Sequence, residues 1–552
     1  MKIYYSILFI LSFIHSANAG NELRERIYVH TDKNFYLSGE LLWMKLYLTD
    51  ETGKPSSFSK IGYVELLNDS VPEVQVKLEL VNGVGEGRMV LPSTLSTGNY
   101  RLVAYTRTMQ NEGETVFFKK TIGIVNMSVP DMPAEADTSF RIVYKTAPES
   151  NLSVSTSEKT YKPLANGEIK IEGLPDHVHS LSLSVAGIDF LPDNHTIGSW
   201  HKELPAYPKV PLQTDFLPEY EGHIIRGNII DAQTNEPSAE AGLFPVVSFV
   251  DDQIRLFGGM VKGTDVYFFT RHVRGMRELA ATVYTTSGHP YKVNIQSPFA
   301  SHEKETLPPL KPNSAWEAPL IQRSVGLQVL YAYTSDSLNK TDTTYAHLRW
   351  RPDRSYKLDE YTRFPTMDEV VTECIPLLRF RRIDDKRYVS VLDEKNTFSS
   401  GNSLVLVDGV PVVDHEIVFR YDPLSVRQID VYRDKFVFGN KYFDGMVFFS
   451  TYTKDYAGLK PDAFTLFYDY EGTLPHCHFY APSHAGKSKP DSRIPDYRHT
   501  LLWIPELNAQ GQTRISVPFD TSEITGEFQV KVEGLTKDGK AICGVVYFTV
   551  GE

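Results

Sequence analysis

Apolar and polar residues alternate along much of this chain with the period of a β-strand. Val74-Gln75-Val76-Lys77-Leu78-Glu79-Leu80 is the strictest case, with aliphatic side chains on one face and polar ones on the other. Arg26-Ile27-Tyr28-Val29-His30-Thr31, Leu42 to Leu48 and Tyr63 to Leu67 repeat the pattern. Turn residues separate them: Ser38-Gly39-Glu40, Glu51-Thr52-Gly53-Lys54-Pro55, Val81-Asn82-Gly83 and Ser96-Thr97-Gly98-Asn99. Strands at about ten-residue intervals predict a β-sandwich over residues 20–130.

A polar, Pro-bearing stretch, Asp131 to Asp137, reads as a linker. A second sandwich with a Pro-rich tail is expected over 138–221. Its Lys159-Thr160-Tyr161-Lys162-Pro163 and Gly167-Glu168-Ile169-Lys170-Ile171 echo Lys33-Asn34-Phe35-Tyr36-Leu37 and Gly39-Glu40-Leu41-Leu42-Trp43, which suggests a repeated sandwich type. A third sandwich is expected over 222–300, opening with Ile224 to Asp231. Residues 301–363 form an irregular linker region with a helix-like stretch near Ala315 to Leu330. Over 364–460 the pattern changes to a small α+β unit. Thr366 and Glu369 make a capping box for a helix running to Leu378, and strands follow at Leu404 to Val407, Val426 to Tyr432 and Met446 to Thr451. A last sandwich-like unit is expected over 461–552. The fold class is therefore mainly β, tandem sandwiches with one small α+β domain.

The N-terminus departs from this pattern. Lys2 precedes an almost unbroken apolar run, Ile3 to Ile14, and Ala17-Asn18-Ala19 is a small-residue cleavage box. The run is too short for a bilayer span of roughly 20 residues, so residues 1–19 read as a signal peptide. No Cys follows the cleavage box (the first is Cys374), which predicts export to the periplasm or outer membrane without a lipid anchor and with no transmembrane segment after cleavage.

Composition narrows the partners. A net charge of −12 argues against nucleic acid. Three cysteines, Cys374, Cys477 and Cys543, are too few for a disulfide framework, and their pairing is left open.

Candidate chemistry is sparse. His476-Cys477-His478, with His484 nearby, is the one metal-like cluster, since strand alternation would put His476 and His478 on one face. A zinc site needs further ligands at workable spacing, so a loop cluster is the expected reading and no metal or cofactor is assigned. Asp251-Asp252 and Asp384-Asp385 read as turns rather than calcium ligands. Gly83-Val84-Gly85-Glu86-Gly87 lacks the helix and Lys of a phosphate loop and reads as a hairpin turn. The singly spread Trp43, Trp200, Trp316, Trp350 and Trp503 read as core or junction anchors. No nucleophile elbow or metalloprotease motif occurs, and no enzyme is expected.

Two stretches carry a resemblance. Tyr28 to Glu40, with Leu95 to Thr106, resembles the opening and closing strands of a macroglobulin-type domain of the α2-macroglobulin family. Leu404-Val405-Leu406-Val407-Asp408-Gly409-Val410-Pro411-Val412, followed by Tyr421-Asp422-Pro423, Ile429-Asp430-Val431, Phe438-Gly439-Asn440 and Gly445-Met446-Val447, resembles the plug domain of TonB-dependent outer-membrane receptors, with Asp408-Gly409 as its turn. The combination is similar to secreted proteins of the Bacteroidetes type. Two departures matter. The sequence after Thr451 is too short for a barrel of about 22 strands, and no Cys sits in a thioester-type run.

The resemblance implies a non-catalytic interaction or scaffold protein of the bacterial cell envelope, whose partner is an envelope protein such as an outer-membrane β-barrel. The alternatives are a glycan- or peptide-binding protein serving TonB-dependent uptake, and a hydrolase hidden in the sandwiches.

Overall fold

The computed structural model describes residues 24–128, 150–188, 190, 195–204, 215–251, 253–285, 288–312, 314–338, 351–383, 385–438, 441–456, 458–461, 463–483, 495–509 and 511–551. The predicted signal segment, the Asp131–Asp137 linker, Trp350 and His484 lie outside them. The chain is mainly β, built from sandwiches with one small α+β unit. It divides into two compact units: a body, residues 21–222, 299–344 and 473–552, and a second unit, residues 223–298 and 345–472.

The body holds two sandwiches. In the first, strands Glu25–Thr31, Leu41–Asp50 and Val84–Val90 form a three-stranded sheet. Strands Phe35–Leu37, Phe118–Val125, Gly98–Tyr105, Ile61–Asn68 and Val71–Glu79 form a five-stranded sheet in that order. The alternation explains the core: Ile27, Val29, Leu42, Met44 and Leu46 meet Val64, Leu66, Leu102, Ile122 and Ile124. Each such side chain stabilises the fold by about 2 kcal/mol on leaving water.

The second sandwich is split in sequence. Strands Arg514–Asp520, Asn166–Glu172 and Ser153–Thr156 make its small sheet. Strands Thr160–Tyr161, Ala541–Val550, Gly526–Thr536, Val178–Gly187 and Thr500–Ile504 make its large one. Val178–Gly187 lies between Gly526–Thr536 and Thr500–Ile504, antiparallel to both. The expected second sandwich over 138–221 and the expected C-terminal unit over 461–552 are thus two parts of one domain. Local alternation marks which segments are strands but not which distant strand each will pair with, and this is why the two parts read as separate.

Counted within each sandwich, the strands follow the same order: first-third-sixth in the small sheet, second-eighth-seventh-fourth-fifth in the large one. In both, the short second strand pairs parallel to the eighth. The echo in the sequence falls on the second and third strands of each copy. Where the first copy joins its fourth and fifth strands by a tight turn at Asp69, the second carries residues 188–499.

The two sandwiches meet through outward faces that would ordinarily be solvated. Ser180, Ser182 and Ser184 alternate with core Leu181, Leu183 and Val185. His30 holds Ser182 Oγ at 2.6 Å through Nδ1 and Ser184 Oγ at 3.3 Å through Nε2. The Tyr47 hydroxyl donates to the Glu533 carbonyl at 2.9 Å. Lys45 pairs with Glu506, and Lys531 with Glu533 at 3.0 Å. Burial in this seam pushes the Tyr47 phenol well above its ordinary range.

The second unit begins with a seven-stranded sheet: Tyr291–Ile295, Ile224–Asp231, Asp265–Phe269, Leu256–Lys262, Phe244–Phe249, Met276–Tyr284 and Leu466–Glu471. Residues 256–258 pair with one neighbour and 259–262 with the other, so the sheet folds over at Gly258-Gly259. A Cβ on Gly259 would lie 2.5 Å from Val266. Its last strand, Leu466–Glu471, comes from beyond the expected 222–300 boundary and pairs with Met276–Ala281.

The α+β domain contains the expected helix start and strands, and adds an edge strand, Arg354–Lys357, from the stretch 301–363 expected to be irregular linker. Thr366 and Glu369 form the reciprocal cap, and the helix spans Met367–Cys374, stopping short of Leu378 as Pro376 approaches. Its five-stranded sheet runs Arg354–Lys357, Val426–Phe438, Lys441–Thr451, Leu404–Val407 and Val410–Pro411.

One local reading is corrected. Gly85 and Gly87 are not a turn; they sit in strand Val84–Val90, and only Asn82-Gly83 turns. A Cβ on Gly85 would come 2.7 Å from Leu80, and one on Gly87 2.9 Å from Leu474. The glycines are there for close packing.

The split sandwich makes a direct prediction. A chain truncated after residue 494 loses the partners of Leu181, Leu183 and Val185, so limited proteolysis should open residues 150–187 while Glu25–Val125 stays protected. Protection of both regions would show that the N-terminal part folds alone.

Candidate functional site

The outward face of the five-stranded sheet in the first sandwich is the most unusual surface of the body. Tyr63, Glu65 and Leu67 alternate with core Val64 and Leu66, which would leave them in water. Across the sheet, Tyr105 and Lys77 lie directly opposite Tyr63, and Gln75 opposite Glu65. Yet Tyr63, Glu65, Lys77 and Tyr105 are all buried. The rings of Tyr63 and Tyr105 stack at 5.3 Å, and Phe117 stacks on Tyr105 at 4.3 Å.

Three segments of the body cover this shelf. In the first, Glu219 is buried, and its carboxylate accepts the Tyr63 hydroxyl at 2.9 Å. Its carbonyl accepts the Lys60 N–H at 2.8 Å, and Arg107 stands 4.0 Å away. In the second, the Phe299 ring meets Tyr63 at 5.6 Å, and Ala300 donates its N–H to the Tyr105 hydroxyl at 2.7 Å. His302 follows, with Nε2 2.8 Å from Glu65 and Nδ1 3.3 Å from Glu114. Arg101 pairs with Glu305, and Asn99 donates to the Pro308 carbonyl at 2.7 Å. In the third, Leu474 donates its N–H to the Lys77 carbonyl at 2.7 Å, while Lys77 also lies over the Phe299 ring.

These segments are where the chain leaves and re-enters the body. It passes into the second unit after Gly222, returns at Phe299, and returns again at Thr473. Three connectors are thus clamped on one shelf within the body. The chemistry is that of a clamp: phenols donating to carboxylates, a histidine between two acids, and aromatic stacking.

Titration follows from the geometry. Burial, then the Glu219 carboxylate, raises the Tyr63 phenol well above its usual range. Burial and Glu65 do the same for Tyr105. For His302, burial favours the neutral ring, but hydrogen bonds and charge from Glu65 and Glu114 outweigh it and raise its pKa. A neutral imidazole has one N–H and one lone pair, so only the imidazolium donates to both acids.

Sequence reading missed this site because its residues are ordinary polar positions of a strand, and Glu219 and His302 lie in segments without periodicity. The cross-strand Tyr63–Tyr105 pair was the available signal.

The residues singled out from sequence fall elsewhere. Asp408 and Gly409 form the tight turn between Leu404–Val407 and Val410–Pro411, with φ of 46° and 87°. Such angles favour Gly and tolerate Asp. The buried Asp408 carboxylate accepts the N–H groups of Thr451 at 2.8 Å and Tyr456 at 2.9 Å. A Cβ on Gly409 would lie 2.3 Å from the Phe249 carbonyl, and Asp251 donates its N–H to the Asp408 carbonyl at 3.1 Å. The turn is a packed joint between the two sheets of its unit.

His476 and His478 lie outside any extended strand, which removes the shared strand face expected for them. His476 stands 3.6 Å from Glu86, and His478 is exposed. Among the described residues no group of three His, Cys, Asp or Glu is placed to hold a metal. The three cysteines are free thiols, Cys374 and Cys543 buried and Cys477 half-buried. No helix among the described residues is long and apolar enough to cross a membrane.

Neither a family model nor a curated protein matches the chain. Among solved structures, Salmonella α2-macroglobulin reacted with methylamine is similar over 97% of this chain and 40% of its own, at 10% identity and a TM-score of 0.24. The native conformation of E. coli α2-macroglobulin gives 96%, 40%, 11% and 0.24. An adhesin of Yersinia pseudotuberculosis is similar over 52% of this chain and 66% of its own, at 14% identity and 0.14. The chain spans about two fifths of the length of the macroglobulins it matches.

The clamp sets a sign for pH. Because the His302 pKa is raised on folding, its contribution is fully present below the unfolded value near 6.5 and is lost as pH rises through the folded value. Hydrogen exchange of amides 299–305, corrected for intrinsic rates, should show greater protection below about pH 6.5 and a fall as pH rises through the raised folded value. In His302→Gln, which keeps one donor, protection should be lower and flat. Protection that rises with pH, or a variant matching the parent, would contradict the clamp.

Proposed function

We propose that this chain is an exported, non-catalytic interaction protein of the bacterial cell envelope, in which the two-sandwich body is a stiff base and the second unit carries the recognition surface. The export part rests on the apolar run Ile3 to Ile14 and the Ala17-Asn18-Ala19 box. The partner is an envelope protein, with an outer-membrane β-barrel as the leading candidate, because the Asp408-Gly409 region resembles a receptor plug. The macroglobulin resemblance of the first sandwich belongs to the same reading.

One observation carries the recognition surface. Strands Val426–Phe438 and Lys441–Thr451 form the longest hairpin of the second unit. Near its tip Val437 and Tyr442 are cross-strand neighbours, 61% and 53% exposed. The next pair inward, Phe436 and Phe443, faces the other way and is buried. Lys435 and Asp444 form an ion pair at 2.9 Å beside the exposed pair. An aliphatic–aromatic pair held on a firm hairpin and flanked by a charged pair has the make-up of a binding hot spot with a polar rim.

The test is photo-cross-linking in intact cells from an analogue placed at Tyr442, with a control at exposed Lys170 in the body. The expected result is an adduct to an envelope protein from position 442 alone, lost on Val437→Asp. Equal adducts from both positions, or an adduct unchanged by Val437→Asp, would contradict the assignment.

A further inference from the structure

A second surface of the same unit has a different chemistry. Strands Leu378–Ile383 and Lys386–Val391 form a two-stranded hairpin that, among the described residues, joins no larger sheet. Over residues 378–391 the sequence places four Arg and one Lys against two Asp, in a chain whose net charge is −12.

The root of the hairpin is held on both faces. Arg387 pairs with Glu416 and Asp368, each at 3.0 Å, and Phe380 meets the Phe419 ring at 4.1 Å. On the opposite face Arg379 lies over Phe398, and Tyr388 packs against Gly401. Toward the tip the side chains are released. Arg381, Arg382 and Lys386 are exposed, and none has an acidic partner within ion-pair distance among the described residues. Asp385 sits in the turn with φ of 61°, and Asp384 lies outside the described residues.

Register places these cations on both sides of the blade. Arg381 and Arg382 are successive residues of one strand, so they point to opposite faces. Lys386 lies across from the half-buried Ile383, near the turn. A linear acidic polymer lies along one face of a ribbon. Cations on both faces, with the apolar Ile383 beside them, suit a layer that presents phosphates to both sides of the two strands.

We propose that the strands Leu378–Ile383 and Lys386–Val391 dock against the phosphate groups of an anionic lipid surface, with Arg381, Arg382 and Lys386 as the contacting residues. It rests on the export reading, which brings the chain to a membrane. Each cation near such a surface contributes about a fivefold gain in binding, screened by salt, and the exposed Asp385 carboxylate in the turn works against it.

The test is sedimentation of the full chain, from Gly20 onward, with vesicles of phosphatidylcholine alone or doped with phosphatidylglycerol. The expected result is binding to the doped vesicles only, falling as salt rises, and reduced about tenfold or more in R381E/R382E. The R381K/R382K variant should retain most of the binding, and matched thermal melts should show that both variants fold. Equal binding to neutral vesicles, or full binding by R381E/R382E, would overturn the proposal. So would capture by soluble polyglutamate without vesicle binding. Cell fractionation separates the two readings. A chain in the envelope fraction that binds no vesicle overturns the lipid contact alone, and a chain retained in the cytoplasm overturns export and the lipid contact with it.

Discussion

The pairing of Val178–Gly187 with Thr500–Ile504 and Gly526–Thr536 is the constraint on which the other features depend. Joining strands separated by so much chain costs loop-closure entropy, though the cost grows only with the logarithm of loop length. It is offset by burial of Leu181, Leu183, Val185, Val530 and Val532 in one core. Once the pairing forms, residues 188–499 become an insertion with both ends held in a single sheet.

The polar seam and the aromatic shelf follow from that closure. The outward serines of Val178–Gly187 face the first sandwich, and His30 and Tyr47 find partners there. The seam orients the two sandwiches through direction-specific bonds. Breaking one partner of such a buried bond costs about 1–3 kcal/mol. The shelf then receives the connectors: Glu219, Phe299 and Leu474 come to Tyr63 and Lys77 from positions far apart in sequence.

Much of the fold was legible in the sequence. Apolar runs bounded by turn residues located Ile224–Asp231 and Leu404–Val407 to the residue, and the Thr366–Glu369 box located its helix start. The Lys33–Glu40 and Lys159–Glu168 echo marked two sandwiches of one topology. What was not legible was pairing at a distance. Nothing in the pattern around Leu466–Glu471 says that it closes a sheet begun at Ile224, or that Thr500–Ile504 continues a sheet left at Gly187. The shelf was hidden for a related reason. Tyr63, Glu65 and Lys77 look like a solvated strand face, and their burial is decided by segments with no periodicity of their own. Asp408-Gly409 was legible as a turn, and its packing against Phe249 became visible only once the two sheets were placed together.

The closure itself can be measured. Val178 and Thr536 are cross-strand partners at the ends of their strands, and such partners have Cα atoms about 4.5–5.5 Å apart, which a disulfide spans. In a chain whose three native cysteines are replaced by serine, V178C/T536C should form a disulfide under mild oxidation, identified as a single linked peptide pair by mass spectrometry. The same variant oxidised in denaturant should form it poorly. Failure of the 178–536 bridge to form in the folded chain, or equal bridging in denaturant, would contradict the split sandwich and every feature built on it.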